Sequence, residues 1–220
     1  SVGHIEIDSG SFRMEEMWNN RLYMPDAEAA RRAEAYLEEM MARKDSCGGV
    51  VECVIRGMPV GVGEPVFDKL DACLAKAMLS IGAVKGFEIG DGFEAARSLG
   101  SANNDGFRMS RESEDQGLLF KDRIVKSSNH AGGTLGGISD GSDIVLRAAF
   151  KPTPSIAQRQ HTVTRNGEET DIEIKGRHDP IIVPRAVVVV EAMAALTAAD
   201  LLLLSMTSRL DRIQGFFGRG

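Results

Sequence analysis

The sequence predicts an α+β fold, because segments with strand periodicity and segments with helical periodicity alternate irregularly along it. At least one pair of strands is expected to be antiparallel. Residues 160–176 alternate in polarity around Asn166-Gly167, a dipeptide typical of the type I′ hairpin turn. The chain has 220 residues, 43% of them hydrophobic, and no clear boundary, so we expect a single domain over residues 1–220.

Four segments have helical character. Residues 25–43 carry apolar side chains at helical spacing behind a proline, which predicts an amphipathic surface helix. Residues 63–82 predict a packed helix that ends at Gly82, and residues 91–100 predict a short one. A long helix follows Pro184 and is apolar on nearly every side, so we expect other elements to wrap it.

The remaining regular segments favour strands. Residues 3–7, 49–57 and 143–150 are interpreted as single strands, and residues 160–176 as a hairpin. Residues 103–126 are so polar that they cannot bury much surface, and we expect a mobile loop there.

Charge and cysteine content limit the function classes. A formal charge of -6 argues against general binding to nucleic acid or an anionic membrane. Glu191 and Asp200 leave only eight uncharged residues between them in the most apolar stretch, too few to span a bilayer. Cys47, Cys53 and Cys73 are an odd number without metal-ligand spacing, which suggests reduced structural thiols in a cytoplasmic protein.

A glycine-rich run extends from Asn129 to Gly141. Its glycines are Gly132, Gly133, Gly136, Gly137 and Gly141. It has neither the GK[ST] ending of a Walker loop nor the GxGxxG spacing of a dinucleotide fingerprint. Ordered glycines are costly in chain entropy, so the run indicates either sharp turns or a cradle for an anion or cofactor.

A locally basic stretch follows the glycine run. Residues 144–167 contain Arg147, Lys151, Arg159, His161 and Arg165 but no acidic residue. Such a stretch suits phosphate recognition, and it equally suits the solvated basic edge of a sheet. Within it, the KPTPS segment at 151–155 fixes two φ angles and would present its lysine and hydroxyls on stiff backbone, unless it is an ordinary strand exit.

The segment GRHDP places Arg177, His178 and Asp179 at a turn. In extended backbone the arginine and the aspartate share a face, where they could bind an oxyanion and relay a proton. The alternative is a structural ion pair that closes the turn. His4 and His130 have no partner at catalytic or metal spacing and are interpreted as structural; no metal site is predicted.

Taken together, these motifs resemble chorismate synthases. The resemblance rests on RGMPVGVGEPVFDKL, MLSIGAVKGFEIGDGF, SNHAGGTLGGISDG, AAFKPTPSI and GRHDP, followed by VPRAVVVVEAMAALTAADLLL. It runs from about Ile5 to Leu204. It implies a β-α-β sandwich, in which helices lie between antiparallel sheets, and a homotetramer. The implied reaction is a 1,4-anti elimination of phosphate from 5-enolpyruvylshikimate 3-phosphate, giving chorismate, and it needs reduced FMN.

The resemblance also implies roles for individual residues. The flavin-contacting positions would be Gly82, Ala83, Gly136, Lys151, Pro152, Thr153, Pro154, Ser155 and Arg177. Asp179 resembles the carboxylate that assists proton transfer near the flavin, and Arg177 would also face the substrate. The polar loop at 103–126 resembles a flap near the cofactor.

Two departures from the family pattern stand out. Gly82 occupies a position where the family often has asparagine. The family's N-terminal histidine motif and several substrate-binding arginines do not occur in these 220 residues. We therefore expect a C-terminal portion of a chorismate synthase that is inactive alone. A noncatalytic flavin-binding or assembly module derived from the family is the alternative.

Overall fold

The computed structural model describes residues 1–109, 124–176 and 178–218. Its helices are α1 (Ala27–Ala42), α2 (Leu70–Ser80), α3 (Gly100–Asn103), α4 (Val183–Met206) and α5 (Leu210–Phe217). Its strands are β1 (Gly49–Ile55), β2 (Val84–Ile89), β3 (Phe107–Met109), β4 (Ile124–Lys126), β5 (Thr134–Leu135), β6 (Ile138–Ser139), β7 (Ile144–Phe150), β8 (Arg159–Val163) and β9 (Glu169–Glu173). Three short 3-10 helices lie at Ser9–Ser11, Met14–Trp18 and Gly92–Arg97.

The strands form one three-stranded sheet and three two-stranded sheets. The larger sheet has the order β1-β7-β2, so β7 is its central strand. The pairs β3-β4, β5-β6 and β8-β9 are all antiparallel. Helices together with antiparallel pairs confirm the predicted α+β class.

The chain divides into two compact units. The first unit comprises Ser1–Val51, Ala83–Lys85 and Ala149–Val189. The second unit comprises Glu52–Gly82, Gly86–Ala148 and Val190–Gly220. The single domain over residues 1–220 stays a prediction.

In the first unit, α1 begins at a capped N-terminus. The carboxylate of Asp26 accepts hydrogen bonds from the amides of Glu28 and Ala29 at 2.9 and 3.0 Å, which satisfies donors that the first turn leaves free. The helix buries one stripe of side chains and exposes the rest, as its amphipathic pattern predicts. The buried residues are Ala29, Ala30, Ala33, Leu37 and Met40.

The core of the second unit contains one face of β7 and one face of α2. Ile144, Leu146 and Ala148 are buried at every second position of the strand. Leu74 and Met78 of α2 are completely buried. Because they lie four residues apart, they share one face of the helix.

The predicted start of α2 is wrong. The helix begins at Leu70, and the amide of Glu64 instead donates to the carbonyl oxygen of Asp68 at 3.0 Å, closing a loop across the proline. Val66 has a φ of 74°, which no α-helix allows. Residues 91–100 form the 3-10 helix Gly92–Arg97, with α3 starting at their end, in place of a single short helix.

Two predicted strand features also differ. Residues 3–7 form no strand, since Val2 makes only isolated bridges with Ile5 and Gly49. The β8-β9 hairpin is confirmed, but its turn is not type I′: Gly167 has a φ of 85° while Asn166 has no positive φ. The amide of Thr164 donates to Glu168 at 2.8 Å, which leaves a three-residue loop with glycine in the left-handed region.

The expectation that other elements wrap α4 is wrong for the residues described. Several of its apolar side chains are more than one third exposed: Val188, Val189, Leu196, Leu202, Leu203, Leu204 and Met206. By length and composition the helix could cross a membrane, in spite of the charges of Glu191 and Asp200, so the prediction that it is too short is also wrong. These criteria alone are weak grounds for a membrane span, because core helices of soluble proteins meet them too.

The three cysteines are all free thiols. Burial raises the pKa of the Cys47, Cys53 and Cys73 thiols, and acidic neighbours, among them Asp45, Glu191 and Asp68, raise it further. A raised pKa keeps a thiol in its neutral, unreactive form. This agrees with the structural interpretation of the cysteines.

The α2 core predicts a difference between two leucines on one helix. Leu74→Ala should lower the free energy of unfolding by about 2–5 kcal/mol, because it leaves a cavity at a fully buried site. Leu79→Ala, at a side chain that is 53% exposed, should change it by less than about 0.5 kcal/mol. Urea denaturation followed by circular dichroism measures both, and equal losses would contradict this assignment of the core.

Candidate functional site

The KPTPS segment continues the chain beyond the central strand β7. The amide of Lys151 donates a hydrogen bond to the carbonyl oxygen of Ala83 at 3.0 Å. This bond lies within the first unit and joins two segments that were separately assigned to the cofactor site. Residues 151–155 and Ala83 therefore lie side by side.

The polar side chains of the segment are left available. Among the described residues, no protein group pairs with the Lys151 ammonium or with the hydroxyls of Thr153 and Ser155. Lys151 is exposed and the two hydroxyl residues are half-buried. An ammonium and two hydroxyls at alternate positions are a donor set that suits a phosphate group. Pro152 and Pro154 restrict the backbone that carries these donors.

Ala83 has a strained backbone conformation. Its φ of 72° lies in the left-handed region, which costs a non-glycine residue roughly 1–2 kcal/mol. The preceding Gly82 has open space where a side chain would begin, since nothing lies within 4 Å of that position. Strain of this kind is concentrated at functional sites. Open space beside strained backbone fits the close approach of a flat ligand.

The glycine run is explained mainly by the chain's own packing in the second unit. A Cβ on Gly133 would lie 2.6 Å from the carbonyl oxygen of Asp143, and one on Gly132 would overlap the backbone of Gly90. Gly136 and Gly137, with φ of 61° and 83°, form the two-residue connection of the β5-β6 hairpin. Two positive φ angles are the geometry of a type I′ turn. The turn type that was expected at Asn166-Gly167 therefore occurs at Gly136-Gly137.

Gly136 differs from its neighbours. Nothing lies within 4 Å of a Cβ at this position, whereas a Cβ on Gly137 would overlap the side chain of Lys69, 2.6 Å from its Cδ. Of these turn glycines, Gly136 therefore keeps its open face toward solvent or a ligand. This fits the assignment of Gly136 to the cofactor, which stays a prediction.

A buried ionic cluster fixes the glycine run to the base of the polar loop. Asp105 accepts hydrogen bonds from the amides of His130 and Ala131 at 2.8 and 2.9 Å, and from the Ser128 hydroxyl at 2.7 Å. Lys126 pairs with both Asp105 and Asp140, and all three side chains are at most 6% exposed.

Burial alone would raise the pKa of Asp105. The bonds from Ala131, Ser128 and His130, together with the charge of Lys126, outweigh it and lower the pKa to about 2. The carboxylate is thus held ionised at the start of the glycine run. Of the polar loop at 103–126, which resembles a flap, residues 110–123 lie outside the described residues. Its described ends are not loop throughout, since they form the antiparallel pair β3-β4.

Most of the basic stretch is neutralised. Arg147 on the central strand pairs with Glu52 of β1 at 3.1 Å and with Glu88 of β2 at 3.2 Å. Because β7 is the central strand, Arg147 does not lie at a sheet edge, which was the alternative interpretation of the basic stretch. Arg159 and His161 pair with Asp171 of β9, which faces β8. Two cations of the stretch, Lys151 and Arg165, have no ion pair among the described residues, and of these only Lys151 lies in the KPTPS segment.

The GRHDP turn is described only in part. Arg177 lies outside the described residues, so its ion pair with Asp179 and its roles toward flavin and substrate stay predictions. Asp179 pairs through Oδ2 with Arg185 in the first turn of α4, at 2.8 Å. The other oxygen, Oδ1, has no partner within the described ranges. His178 contacts the carbonyl oxygen of Ile174 at 3.3 Å and faces no catalytic partner there.

His130 has a partner that its sequence spacing did not reveal, and its structural interpretation stays a prediction. Its Nδ1 lies 2.7 Å from the carboxylate of Asp91, which also accepts a hydrogen bond from the Asn103 amide at 3.1 Å. The two residues lie 39 positions apart in sequence, so no local spacing revealed them. His161 likewise pairs with Glu169 and Asp171. Within the described part of the chain, no group of three or more potential metal ligands occurs.

Two residues near the site were missed by the sequence analysis. The hydroxyl of Ser46 donates to the carbonyl oxygen of Thr153 at 2.7 Å, and Arg185 holds Asp179. Ser46 lies in a short connection without periodicity, so the sequence around it does not indicate its partner. Ala83, residues 151–155 and Asp179 belong to the first unit, and Gly82 and Gly136 to the second.

The comparison with protein families gives one match that covers most of the sequence. The family model described as chorismate synthase matches residues 1–203. The chain belongs to the chorismate synthase family. The resemblance inferred from the motifs is thereby confirmed.

Individual relatives agree with this assignment. A chorismate synthase of Agathobacter rectalis is 57% identical over 217 residues, which are 99% of this chain and 56% of the relative. One from Archaeoglobus fulgidus is 54% identical over 201 residues, covering 90% of this chain and 53% of the relative. A crystal structure of chorismate synthase superposes with a TM-score of 0.73 at 30% identity, covering 99% of this chain and 59% of that one.

The superposition also supports the fold expected from the family, the β-α-β sandwich. The chain spans little more than half the length of the family members that it matches.

The Asp105 cluster predicts a specific acid dependence of stability. The pKa of this carboxyl is about 2 in the folded chain and about 3.9 when unfolded, so protonation favours unfolding. The stabilising contribution is complete above about pH 5 and is lost as the pH falls through about 2. Asp105→Asn should lower stability at neutral pH and reduce its loss between pH 5 and 2.

Urea midpoints measured across this pH range test the expectation. Glu38→Gln, at an exposed position of α1, serves as the matched control and should follow the unsubstituted protein. Parallel pH curves for Asp105→Asn and the unsubstituted protein would show that Asp105 does not carry the effect.

Proposed function

We propose that this chain forms the C-terminal portion of an FMN-dependent chorismate synthase and contributes part of its flavin site. The observation that supports the proposal is the hydrogen bond from the Lys151 amide to the Ala83 carbonyl oxygen. Beside the strained backbone of Ala83 lie side-chain donors suited to a phosphate group, which have no partner among the described residues. The reaction is the loss of phosphate from 5-enolpyruvylshikimate 3-phosphate to give chorismate, a step of aromatic amino-acid biosynthesis. The enzyme is a carbon–oxygen lyase.

The residues of the site fit a flavin mononucleotide. Lys151, Thr153 and Ser155 supply a cation and two hydroxyl donors for a phosphate or other polar group of the nucleotide. Gly82 and Gly136, both in the second unit, have nothing within 4 Å of the position of a Cβ, which supports their assignment as flavin-contacting positions. Held by these residues, reduced FMN would supply transient electron density for the loss of the allylic phosphate.

The elimination breaks one C–O bond and one C–H bond, so the protein must neutralise a departing dianion and help to move a proton. Lys151 adds a positive charge to the flavin site, and the family resemblance assigns the role of binding substrate to Arg177. Asp179 assists the proton transfer at Oδ1, the oxygen that Arg185 leaves free. The bond from Arg185 to Oδ2 sets the orientation of the carboxylate.

The assembly and the location follow the family. The proposed enzyme is a homotetramer in the cytoplasm, and it binds neither nucleic acid nor membrane. The net charge of -6 supports the absence of general affinity for polyanions.

Flavin binding should depend on Lys151. Isothermal titration with FMN, in the presence of the substrate, should show binding by the protein expressed in full from its gene. Lys151→Met should weaken it by about 10- to 100-fold, as expected for losing a charged hydrogen-bond donor. Arg165→Met removes another exposed cation of the same stretch and should leave the affinity unchanged. If the unsubstituted protein takes up no FMN, the proposed function is wrong.

Turnover should depend on Asp179. Asp179→Asn should lower kcat for phosphate release, measured under anaerobic conditions with reduced FMN, by about 10²- to 10⁴-fold. FMN affinity should stay the same, because the substitution removes a proton acceptor and no proposed flavin donor. Asp171→Asn, which breaks an exposed pair in the β8-β9 hairpin, is the matched control. FMN binding without any turnover by the unsubstituted protein would favour the noncatalytic flavin-binding module.

A further inference from the structure

The connection between α1 and β1 lies against the KPTPS segment. We call residues 43–48 the clamp segment. The hydroxyl of Ser46 donates to the carbonyl oxygen of Thr153 at 2.7 Å, across 107 positions of sequence. Close by, the side-chain amide of Gln158 donates to the carbonyl oxygen of Arg43 at 2.9 Å. Two side-chain hydrogen bonds thus join the clamp segment to residues 153 and 158, in and just after the KPTPS segment, whose side chains could donate hydrogen bonds to a phosphate group.

Backbone packing adds a third attachment. A Cβ on Gly48 would overlap the carbonyl oxygen of Phe150 and would lie 3.3 Å from the nitrogen of Pro152. Only a residue without a side chain allows the two backbones to come this close. The clamp segment therefore contacts the KPTPS segment at its entry as well as in its middle.

The same segment also reaches the turn that carries the proposed proton acceptor. The amide of Cys47 donates to the carbonyl oxygen of Pro180 at 2.8 Å, and Pro180 directly follows Asp179. Ser46 and Cys47 are consecutive, so one short piece of backbone holds both the flavin-binding and the proton-accepting segments. All of these contacts lie within the first unit.

The contact to Thr153 is the one that can affect ligand binding. Thr153 lies between two prolines, and the ring of Pro154 restricts the ψ of Thr153 to the extended region without fixing it at one value, so the peptide that carries the Thr153 carbonyl oxygen keeps some freedom of rotation. The Ser46 hydroxyl holds this oxygen in one direction. Once it is held, the backbone that carries Thr153 and Ser155 is ordered relative to Lys151 before a ligand arrives, which reduces the entropy lost on binding.

We propose that Ser46 is a positioning residue that preorganises the KPTPS segment for the phosphate-bearing flavin nucleotide. It acts through the Thr153 carbonyl group and does not contact the ligand itself. The proposal rests on the proposed function, but its effect on the backbone can be measured without any flavin.

The first measurement is amide hydrogen exchange without ligand. Ser46→Ala should speed exchange several-fold at Lys151 and Ile156, whose amides donate to Ala83 and to Pro154. Ser46→Thr keeps the hydroxyl and should restore slow exchange. The amide of Gly90, bonded to Val145 in the second unit, should be unaffected and serves as the internal reference.

The second measurement is FMN affinity by isothermal titration, with substrate present, in the protein expressed in full from its gene. Ser46→Ala should weaken binding by about 3- to 10-fold, as expected for one hydrogen bond, and Ser46→Thr should bind like the unsubstituted protein. Ser98→Ala is the matched control. It removes a serine hydroxyl that likewise donates to a carbonyl oxygen, that of Glu94 at 3.1 Å, outside every site segment.

The outcomes separate this inference from the proposed function. Faster exchange confined to Lys151 and Ile156, together with weaker FMN binding, supports both. Unchanged exchange in Ser46→Ala overturns the positioning role, even if the protein binds FMN. Faster exchange that includes Gly90 shows a general loss of stability and also overturns it. If the unsubstituted protein binds no FMN, the proposed function fails and the role toward flavin fails with it.

Discussion

The main-chain hydrogen bond between Lys151 and Ala83 is the interaction on which the candidate site depends. It lies one residue beyond the central strand β7 and one residue before β2, so it extends the pairing of two neighbouring strands past their ends. An alanine at positive φ persists only where its surroundings hold it in that conformation, and this bond helps to hold Ala83 there. The site is therefore built as a continuation of the sheet, which gives a rigid base to residues that carry no secondary structure of their own.

The glycines around the site serve two different needs. At Gly132, Gly133 and Gly48 the absent side chain makes room for the chain's own backbone or side chains. At Gly136 and Gly82 it leaves open space. A motif rich in glycine thus combines internal packing with access for a ligand, and the letters alone do not tell the two apart.

The sequence was informative where a pattern is local or a motif is long. Periodicity located α1, β1, β7 and the β8-β9 hairpin, and ordered motifs identified the family.

The sequence was not informative where the outcome depends on partners distant in sequence. Pro65 indicated the start of a helix, but it lies in a loop before Leu70 that is closed by the hydrogen bond from the Glu64 amide to the Asp68 carbonyl oxygen. The pairings of His130 with Asp91 and of Ser46 with Thr153 join residues 39 and 107 positions apart, and no spacing rule predicts such contacts. The wrapping of α4 was inferred from composition, which says how apolar a helix is and not what lies beside it.

The cluster of Lys126, Asp105 and Asp140 has a consequence for the behaviour of the chain in concentrated salt. Dissolved ions screen charges over about 3 Å at 1 M ionic strength, which weakens exposed pairs such as Arg43–Glu39. The side chains of the cluster are almost fully shielded from solvent, so mobile ions cannot approach between them. The ion pair between Asp105 and Lys126, which joins the two ends of the polar loop, should therefore persist at high salt concentration.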